Sequence, residues 1–422
     1  MKKQLVAVLA VLLLADVSFG AGFALYEYSG RSTAMGGAVM ANDAEPASLA
    51  ANPSLITELE GTQVQIGATV VQAHAKTTIT NPATSKEESR TLKKDTWVLP
   101  NFYITHKWDD KISFGLGGFS RYGLGGTYKD HETWYGSYLA YKVKLETFSF
   151  TPTIAIKAND ELSLAMGLEA MTIDFTQNSN GPFPAGSNYE IHGTGLSWGG
   201  NFSLTYRPEW AEKWAFGAMY RSKVKQNLDG YIHTSTGGKI YRPTGSTPPL
   251  EEAVRNSDAS GAINLPDSIS TGIAFRPTDE WVLEAGIVGT FWSSYDQIII
   301  EYTEGDEHAP TIHNKKRYQD TYRLNFGTEY KFHPNWAVRA GYVFDKSPIN
   351  HHSMDTLVPV DDRHLVSAGF GYHNDTWSAD FAYTHIFGKD LKGTASNQYS
   401  NAPMKYSDGR SDMIALTVGY KF

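Results

Sequence analysis

The feature that most constrains this chain is a period of two. Apolar and polar residues alternate from end to end, in unusually long segments. Tyr322, Leu324, Phe326, Tyr330 and Phe332 share one face; Arg323, Asn325, Gly327, Glu329 and Lys331 share the other. Trp336, Val338, Ala340, Tyr342 and Phe344 alternate with Arg339, Gly341 and Asp345 in the same way. This spacing puts each set on one side of a pleated strand. The pattern predicts 14 segments: 63–75, 97–108, 111–120, 143–158, 161–175, 196–208, 212–226, 268–277, 280–294, 319–332, 335–344, 363–373, 376–388 and 410–422. Most are longer than the strands of globular proteins, at about 5–6 residues, and match the about 9–11 residues of a tilted membrane strand.

Six tight turns alternate with longer connections. They lie at Trp108-Asp109-Asp110, Asn159-Asp160, Pro208–Ala211, Pro277-Thr278-Asp279, His333-Pro334-Asn335 and Asn374-Asp375. Short turns at one end and long loops at the other are the signature of an outer-membrane barrel. An even strand count puts both termini on the short-turn, periplasmic side. Closure follows from backbone chemistry, because an unpaired edge finds no partner in hydrocarbon. Trp97, Trp108, Trp134, Trp210, Trp214, Trp281, Trp292, Trp336 and Trp377 sit near segment ends, where indoles suit the headgroup level. A soluble sandwich or propeller is the competing architecture, but no blade-length repeat is visible. The last segment is the sharpest local signal. Ile414, Leu416, Val418, Tyr420 and Phe422 share a face and end on the terminal residue. That resembles the signal which outer-membrane barrels present to their assembly machinery.

The fold class read from this pattern is all-β, a 14-stranded antiparallel transmembrane β-barrel over residues 61–422. Residues 1–20 read as a signal peptide, with Lys2 and Lys3 before an apolar run too short to span a membrane. Residues 21–60 are rich in Ala, Gly and Ser and lack alternation. A barrel this wide has a lumen its own side chains do not fill. An amino-terminal hatch packed in that lumen is the economical reading; a mobile periplasmic leader is the alternative. Composition excludes other classes. Lys plus Arg is 37 and Asp plus Glu is 45, so nucleic acid is not the partner. Cys is absent, which excludes disulfides and thiolate chemistry. The 13 His are scattered and no Gly-x-Ser-x-Gly context occurs, so an enzyme is not expected, nor any cofactor or metal.

A series of fragments, in order, resembles the FadL family of outer-membrane transporters for long-chain fatty acids and other hydrophobic compounds. They are AGFALYEYS from Ala21, ANPSLI at 51–56, LPNF at 99–102, SRYGLGGTY at 120–128, LETFSFTP at 145–152, NLPDS at 264–268, TFWSSYDQ at 290–297, YQDTYRLNFGTEY at 318–330 and NWAVRAGYVFDKSPI at 335–349. Phe23 and Glu27 match the family start. Asn52 and Pro53 are kept, with Ser54 where the family usually has Ala.

The resemblance implies a plugged barrel that passes hydrophobic molecules without ATP. Substrate would descend from an apolar groove among outer loops to a pocket against the hatch. Hatch rearrangement and an opening in the wall would release it. Phe23 then either contacts the acyl tail or anchors the plug. Asn52, Pro53 and Ser54 fix the end of the hatch. The wall opening would form at an inward kink in the third strand, at Arg121, Tyr122, Gly123 and Leu124; Gly123 tolerates such a bend because it lacks a Cβ. A carboxylate substrate favours a basic partner in a low-dielectric pocket. Thr176–Asn180 holds no Arg or Lys where the family would place one. Lys315, Lys316 and Arg317 either substitute for it or form a solvated turn. Long-chain fatty acids are the favoured substrate, with neutral or aromatic hydrocarbons as the alternative. A loop-mediated adhesin is a further reading, for which the long 227–267 connection would matter. The expected partners are a fatty acid or detergent-like ligand, outer-membrane lipids and lipopolysaccharide, and the assembly machinery through Phe422. The chain is expected to be a monomer.

Overall fold

The computed structural model describes residues 22–181, 187–234, 240–241, 251–252, 257–302, 312–352, 354–359, 361–395 and 401–422. The expected signal peptide lies outside them. Fourteen antiparallel staves follow one another around a ring. They are β1 (Thr62–Thr80), β2 (Thr96–Lys107), β3 (Ile112–Phe119 and Gly123–Thr127), β4 (Lys142–Lys157), β5 (Leu162–Gly181), β6 (Ser187–Tyr206) and β7 (Trp214–Arg221 and Val224–Thr234). Then come β8 (Ser257–Leu265 and Ser268–Thr278), β9 (Trp281–Thr290 and Gln297–Tyr302), β10 (Ile312–Lys315 and Thr321–His333), β11 (Trp336–Asp345), β12 (Arg363–His373), β13 (Trp377–Gly388) and β14 (Pro403–Lys421). The ring closes where β1 pairs with β14, from Gln63↔Lys421 to Ile79↔Met404. No backbone edge is left along that seam, as hydrocarbon requires.

Side-chain parity explains why the alternation was so regular. Ile66, Phe114, Leu116, Met166, Leu168, Phe202, Ile273, Phe326, Phe370 and Leu416 are exposed on the outer wall. Between them Gln65, Thr69, Thr153, Ser203, Glu284, Asn325, Glu329, Arg339 and Asp380 are buried in the lumen. The hydrophobic face is therefore the exposed one, which makes sense only if lipid is the solvent. Trp108, Trp210, Trp214, Trp281, Trp336 and Trp377 are exposed beside the tight turns, as a belt at one interface. Three tryptophans depart from that placement, of which Trp97 is half-buried against Gly125. Trp134 and Trp292 are each 1% exposed and belong to interior apolar clusters.

The 227–267 connection also differs from expectation. Val224–Thr234 pairs with Ser257–Leu265, beginning at Val224↔Leu265, so much of it is a hairpin continuing the wall. Here Val224, Leu228 and Ile232 face in, while Lys225, Asn227 and Asp229 face out. The polarity is the reverse of the lipid-facing band. A search for apolar-outward strands passes over it.

Residues 22–60 run inside the ring. They form two short helices, α1 (Gly30–Ala34) and α2 (Ser48–Ala51), and a 3-10 turn at Pro53–Glu58. Ser29 caps α1 by accepting the Ser32 N–H. Gly36 and Gly37 then adopt positive φ of 63° and 77°, ending the helix without the clash a Cβ would bring. Glycines on the wall let this segment approach closely. A side chain at Gly115 would strike Leu49; at Gly217 or Gly272, Met40; at Gly327, Met35; at Gly341, the Gly36 backbone; at Gly369, Ala34. Six staves thus meet the segment at van der Waals range.

Candidate functional site

The lower lumen holds residues 29–58 by charge and hydrogen bonds. Arg31 reaches Glu329 at 2.8 Å, and Arg339 joins Glu329 to Asp380. All four side chains are almost wholly buried. Asp43 meets Arg276 at 2.6 Å and Lys331 at 3.0 Å. Burial alone would raise its carboxyl, but Arg31, Arg276 and Lys331 hold it well below the usual range. The Asn52 amide donates to Met40 O at 2.6 Å and Thr205 Oγ1 at 2.9 Å. Pro53 opens the 3-10 turn, where its missing N–H costs nothing. The Ser54 N–H donates to Ser203 Oγ at 3.0 Å, and its hydroxyl lies 2.7 Å from Thr205 Oγ1. These three residues tie the turn to β6. Glu27 is half-buried and accepts the Tyr26 N–H at 3.0 Å.

The upper lumen has the opposite chemistry. Phe23, 3% exposed, lies at its floor. Its ring is 4.8 Å from Trp292, 5.2 Å from Tyr295 and 5.9 Å from Tyr122, each edge-on. Val143, Ile173, Phe175, Leu228, Ile263 and Ile300 continue this apolar interior up the wall, and Leu357 and Val358 join it from an outer loop. Burial, with Asp355 nearby, pushes the Tyr295 and Tyr318 phenols up, so both stay neutral. Beside the Ala24–Tyr28 segment a small cavity of about 50 Å³ is lined by Leu25, Tyr26, Tyr28, Arg121, Met40 and Val288.

The basic run at the break in β10 divides. Lys315 and Arg317 are exposed, and Arg317 takes a positive φ of 52°. Lys316 turns in, 2% exposed, with its ammonium 2.7 Å from the Asp355 carboxylate. The three do not converge. Asp355 is held in turn: its carboxylate accepts the Leu357 N–H at 2.8 Å, and its carbonyl accepts from the Tyr406 hydroxyl.

The third stave is interrupted between Phe119 and Gly123. Both segments of β3 pair with β4, but the ladder to β2 stops at Phe102↔Gly118. In the break, Leu25 N–H donates to Arg121 O at 2.8 Å and Gly123 N–H to Phe23 O at 2.9 Å. The amino-terminal segment thereby adds a short strand against the kink. Arg121 and Tyr122 point inward: Arg121 meets Glu169 at 2.8 Å, and the Tyr122 hydroxyl donates to Pro266 O at 2.7 Å. Leu124 packs against the apolar interior, and Gly123 faces Leu25.

Sequence reasoning missed Trp292, Tyr295 and Asp355. The first two stood in TFWSSYDQ, but Trp292 was read as an interface ring. Asp355 sits in an outer loop with no periodic signal around it.

Residues 11–422 match the family model described as outer membrane protein transport protein (OMPP1/FadL/TodX). The chain is 26% identical to the long-chain fatty acid transport protein of Escherichia coli strain K12, over 98% of this chain and 97% of that one. It is 22% identical to outer membrane protein P1 of Haemophilus influenzae, over 98% of each. Among solved structures, a Pseudomonas aeruginosa FadL homologue superposes with a TM-score of 0.82, at 20% identity, over 95% of this chain and 100% of that one. The Pseudomonas putida toluene transporter TodX superposes with a TM-score of 0.69, at 17% identity, over 96% and 99%. With the closed barrel, the start of β1 and the end of β14 at the short-turn, periplasmic end and lipid-facing walls, the chain belongs to this family of outer-membrane transport proteins, a non-catalytic family that passes hydrophobic molecules through a barrel.

Proposed function

We propose that the chain imports long-chain fatty acids, with residues 21–60 as the hatch. The observation that carries this is a large apolar cluster inside the upper barrel with an inward-turned cation at its edge. Phe23 belongs to that cluster, and the Lys316 ammonium pairs with Asp355, whose carboxylate also accepts the N–H of the cluster residue Leu357. In this reading an acyl tail takes the place of side-chain contacts within the cluster, and a carboxylate gains a charge-assisted contact by exchanging with Asp355 at Lys316. Substrate at the floor displaces the Phe23–Leu25 strand from β3. That releases the kink at Arg121–Leu124, and the solute leaves through the wall into lipid. The relatives' fatty-acid transport supports this choice.

A specific observation favours a second reading. Phe23, Tyr122, Trp292, Tyr295 and Tyr318 form a continuous edge-to-face cluster, which suits an aromatic hydrocarbon. Lys316 is also already neutralised by Asp355. Binding of palmitate and of toluene to purified protein separates the two. Lys316→Met should weaken palmitate at least several-fold and leave toluene unchanged. Tight toluene binding with no palmitate binding to the parent protein would overturn the fatty-acid reading.

A further inference from the structure

The gap between β2 and β3 is a framed window rather than an open seam. Its lower sill is Phe102↔Gly118, where the ladder stops. Its lintel is a second set of bonds: Lys93 N–H to Thr127 O at 2.7 Å, Lys129 N–H to Thr91 O at 3.0 Å, and the Leu92↔Tyr128 bridge. Between them, residues 94–101 of one jamb face 119–126 of the other. The second jamb is Gly123-Leu124-Gly125-Gly126, poor in side chains.

Two side chains fill this opening. Gly123 and Gly125 pair with Glu146 and Lys144, whose side chains lie on the outer side of β4, while Leu124 and Gly126 pair with the inward Leu145 and Val143. The outer faces of Gly123 and Gly125 therefore back onto the window. Any side chain at 123 would run into Leu25, and any at 125 into the Trp97 indole. Trp97 is half-buried and lies flat against Gly125. The sill below is aromatic on its lipid side, with Phe102 against Phe148 and Phe150 at 6.4 and 6.2 Å.

We propose that Trp97 is the size-setting leaf of the window. Leu25 belongs to the amino-terminal segment and leaves with it. Trp97 belongs to the wall and remains. Removing Leu25 alone clears the part of the window beside Gly123. The indole must also swing off Gly125 before a wide solute passes, whereas a thin chain passes beside it. Gly125 keeps the leaf mobile, because a flat backbone gives the ring no notch to lock into. This inference rests on the lateral exit proposed above.

The test uses full-length protein in proteoliposomes, with folding verified by heat-modifiable migration. Two probe pairs are compared: palmitate with pyrene-tagged palmitate, and toluene with pyrene. Trp97→Ala should raise the wide-to-narrow uptake ratio several-fold in whichever pair is transported, and Trp97→Phe should give an intermediate rise. Equilibrium binding of the narrow probe should not change. A separate variant tests the exit itself. The chain has no native Cys, so Trp97→Cys with Gly125→Cys can be bridged by a short cleavable bismaleimide. Bridging should stop uptake and cleavage should restore it. If bridging blocks uptake but the Trp97→Ala and Trp97→Phe ratios match the parent, Trp97 is not the leaf and lateral exit stands. If bridging leaves uptake intact, lateral exit and the gate fall together.

Discussion

The two halves of the lumen are built from the same staves with opposite chemistry. On β4 the inward residues run Val143, Leu145 at the top, then Thr147, Ser149, Thr151 and Thr153 lower down. On β5 they run Phe175, Ile173, Met171, then Glu169. The lower half grips residues 29–58 through buried ion pairs and hydrogen bonds. The upper half holds residues 23–26 by aromatic contact and by two backbone hydrogen bonds to the break in β3. A buried charge pair is costly to break, since the partner left behind stays desolvated. Aromatic contacts can be exchanged for a ligand's apolar surface at small net cost. The lower half therefore fixes the segment, and the upper half leaves its first residues free to be displaced.

The largest expected effect tests the fixed half. Glu329→Leu takes the bonded carboxylate from the Arg31 guanidinium and leaves Arg339 with Asp380 alone, at a cost of about 3–5 kcal/mol. Unfolding temperature in detergent should fall, and ion conductance across planar bilayers should rise as the segment loosens. Phe23→Ala comes next. Removing a buried ring costs about 3 kcal/mol where the space partly refills. Here conductance should stay at the parent level while retention of a co-purifying hydrophobic ligand falls. If the two variants shifted conductance and ligand retention in parallel, the halves would act as one unit and the contrast would fail.

How much of this was legible follows from the same contrast. In the lipid-spanning band, each stave alternates apolar-out with polar-in, and all fourteen staves were visible from Tyr322–Phe332, Trp336–Phe344 and their counterparts. Above that band the outer face meets water and the inner face is apolar. Residues 227–234 therefore read as loop, and Trp292 as an interface ring. The same physics explains the site. Asn52, Pro53 and Gly123 carry backbone signals that a sequence displays. The Lys316–Asp355 pair joins residues 39 positions apart, and local pattern does not encode that. Nor does a strand glycine announce which side chain lies on it, as Gly125 does for Trp97.

A finer cut at the fixed half is Ser54→Ala. The hydroxyl bridges Asn52 and Thr205, both at 2.7 Å. Its loss should cost about 1 kcal/mol, because the Ser54 N–H keeps its bond to Ser203. Thermal unfolding should shift slightly and conductance not at all. A conductance rise as large as that of Glu329→Leu would move the anchor from the ion pairs to this turn.

The smallest effect concerns the loop that contributes Leu357 and Val358 to the upper half. The Asp361 carboxyl is pushed up to about 6 by burial and by neighbouring Asp362, against Lys346, Lys389 and His351. Asp362 is itself held by Lys346 at 2.8 Å and by the Ser347 N–H at 2.9 Å. A folded pKa above the unfolded one means the folded chain holds a proton that the unfolded chain has released. At pH well below the ordinary carboxyl value of 3.8, both states are protonated and Asp361 contributes no pH dependence. Between that value and about 6, stability falls as pH rises, and above it the penalty is complete. Asp361→Asn removes the charge, so its advantage over the parent should be larger at pH 7.5 than at pH 4. Thermal unfolding at the two pH values measures this. An equal gap at both would mean that the loop carries no ionisation penalty, and that the upper half is loosened by its aromatic packing alone.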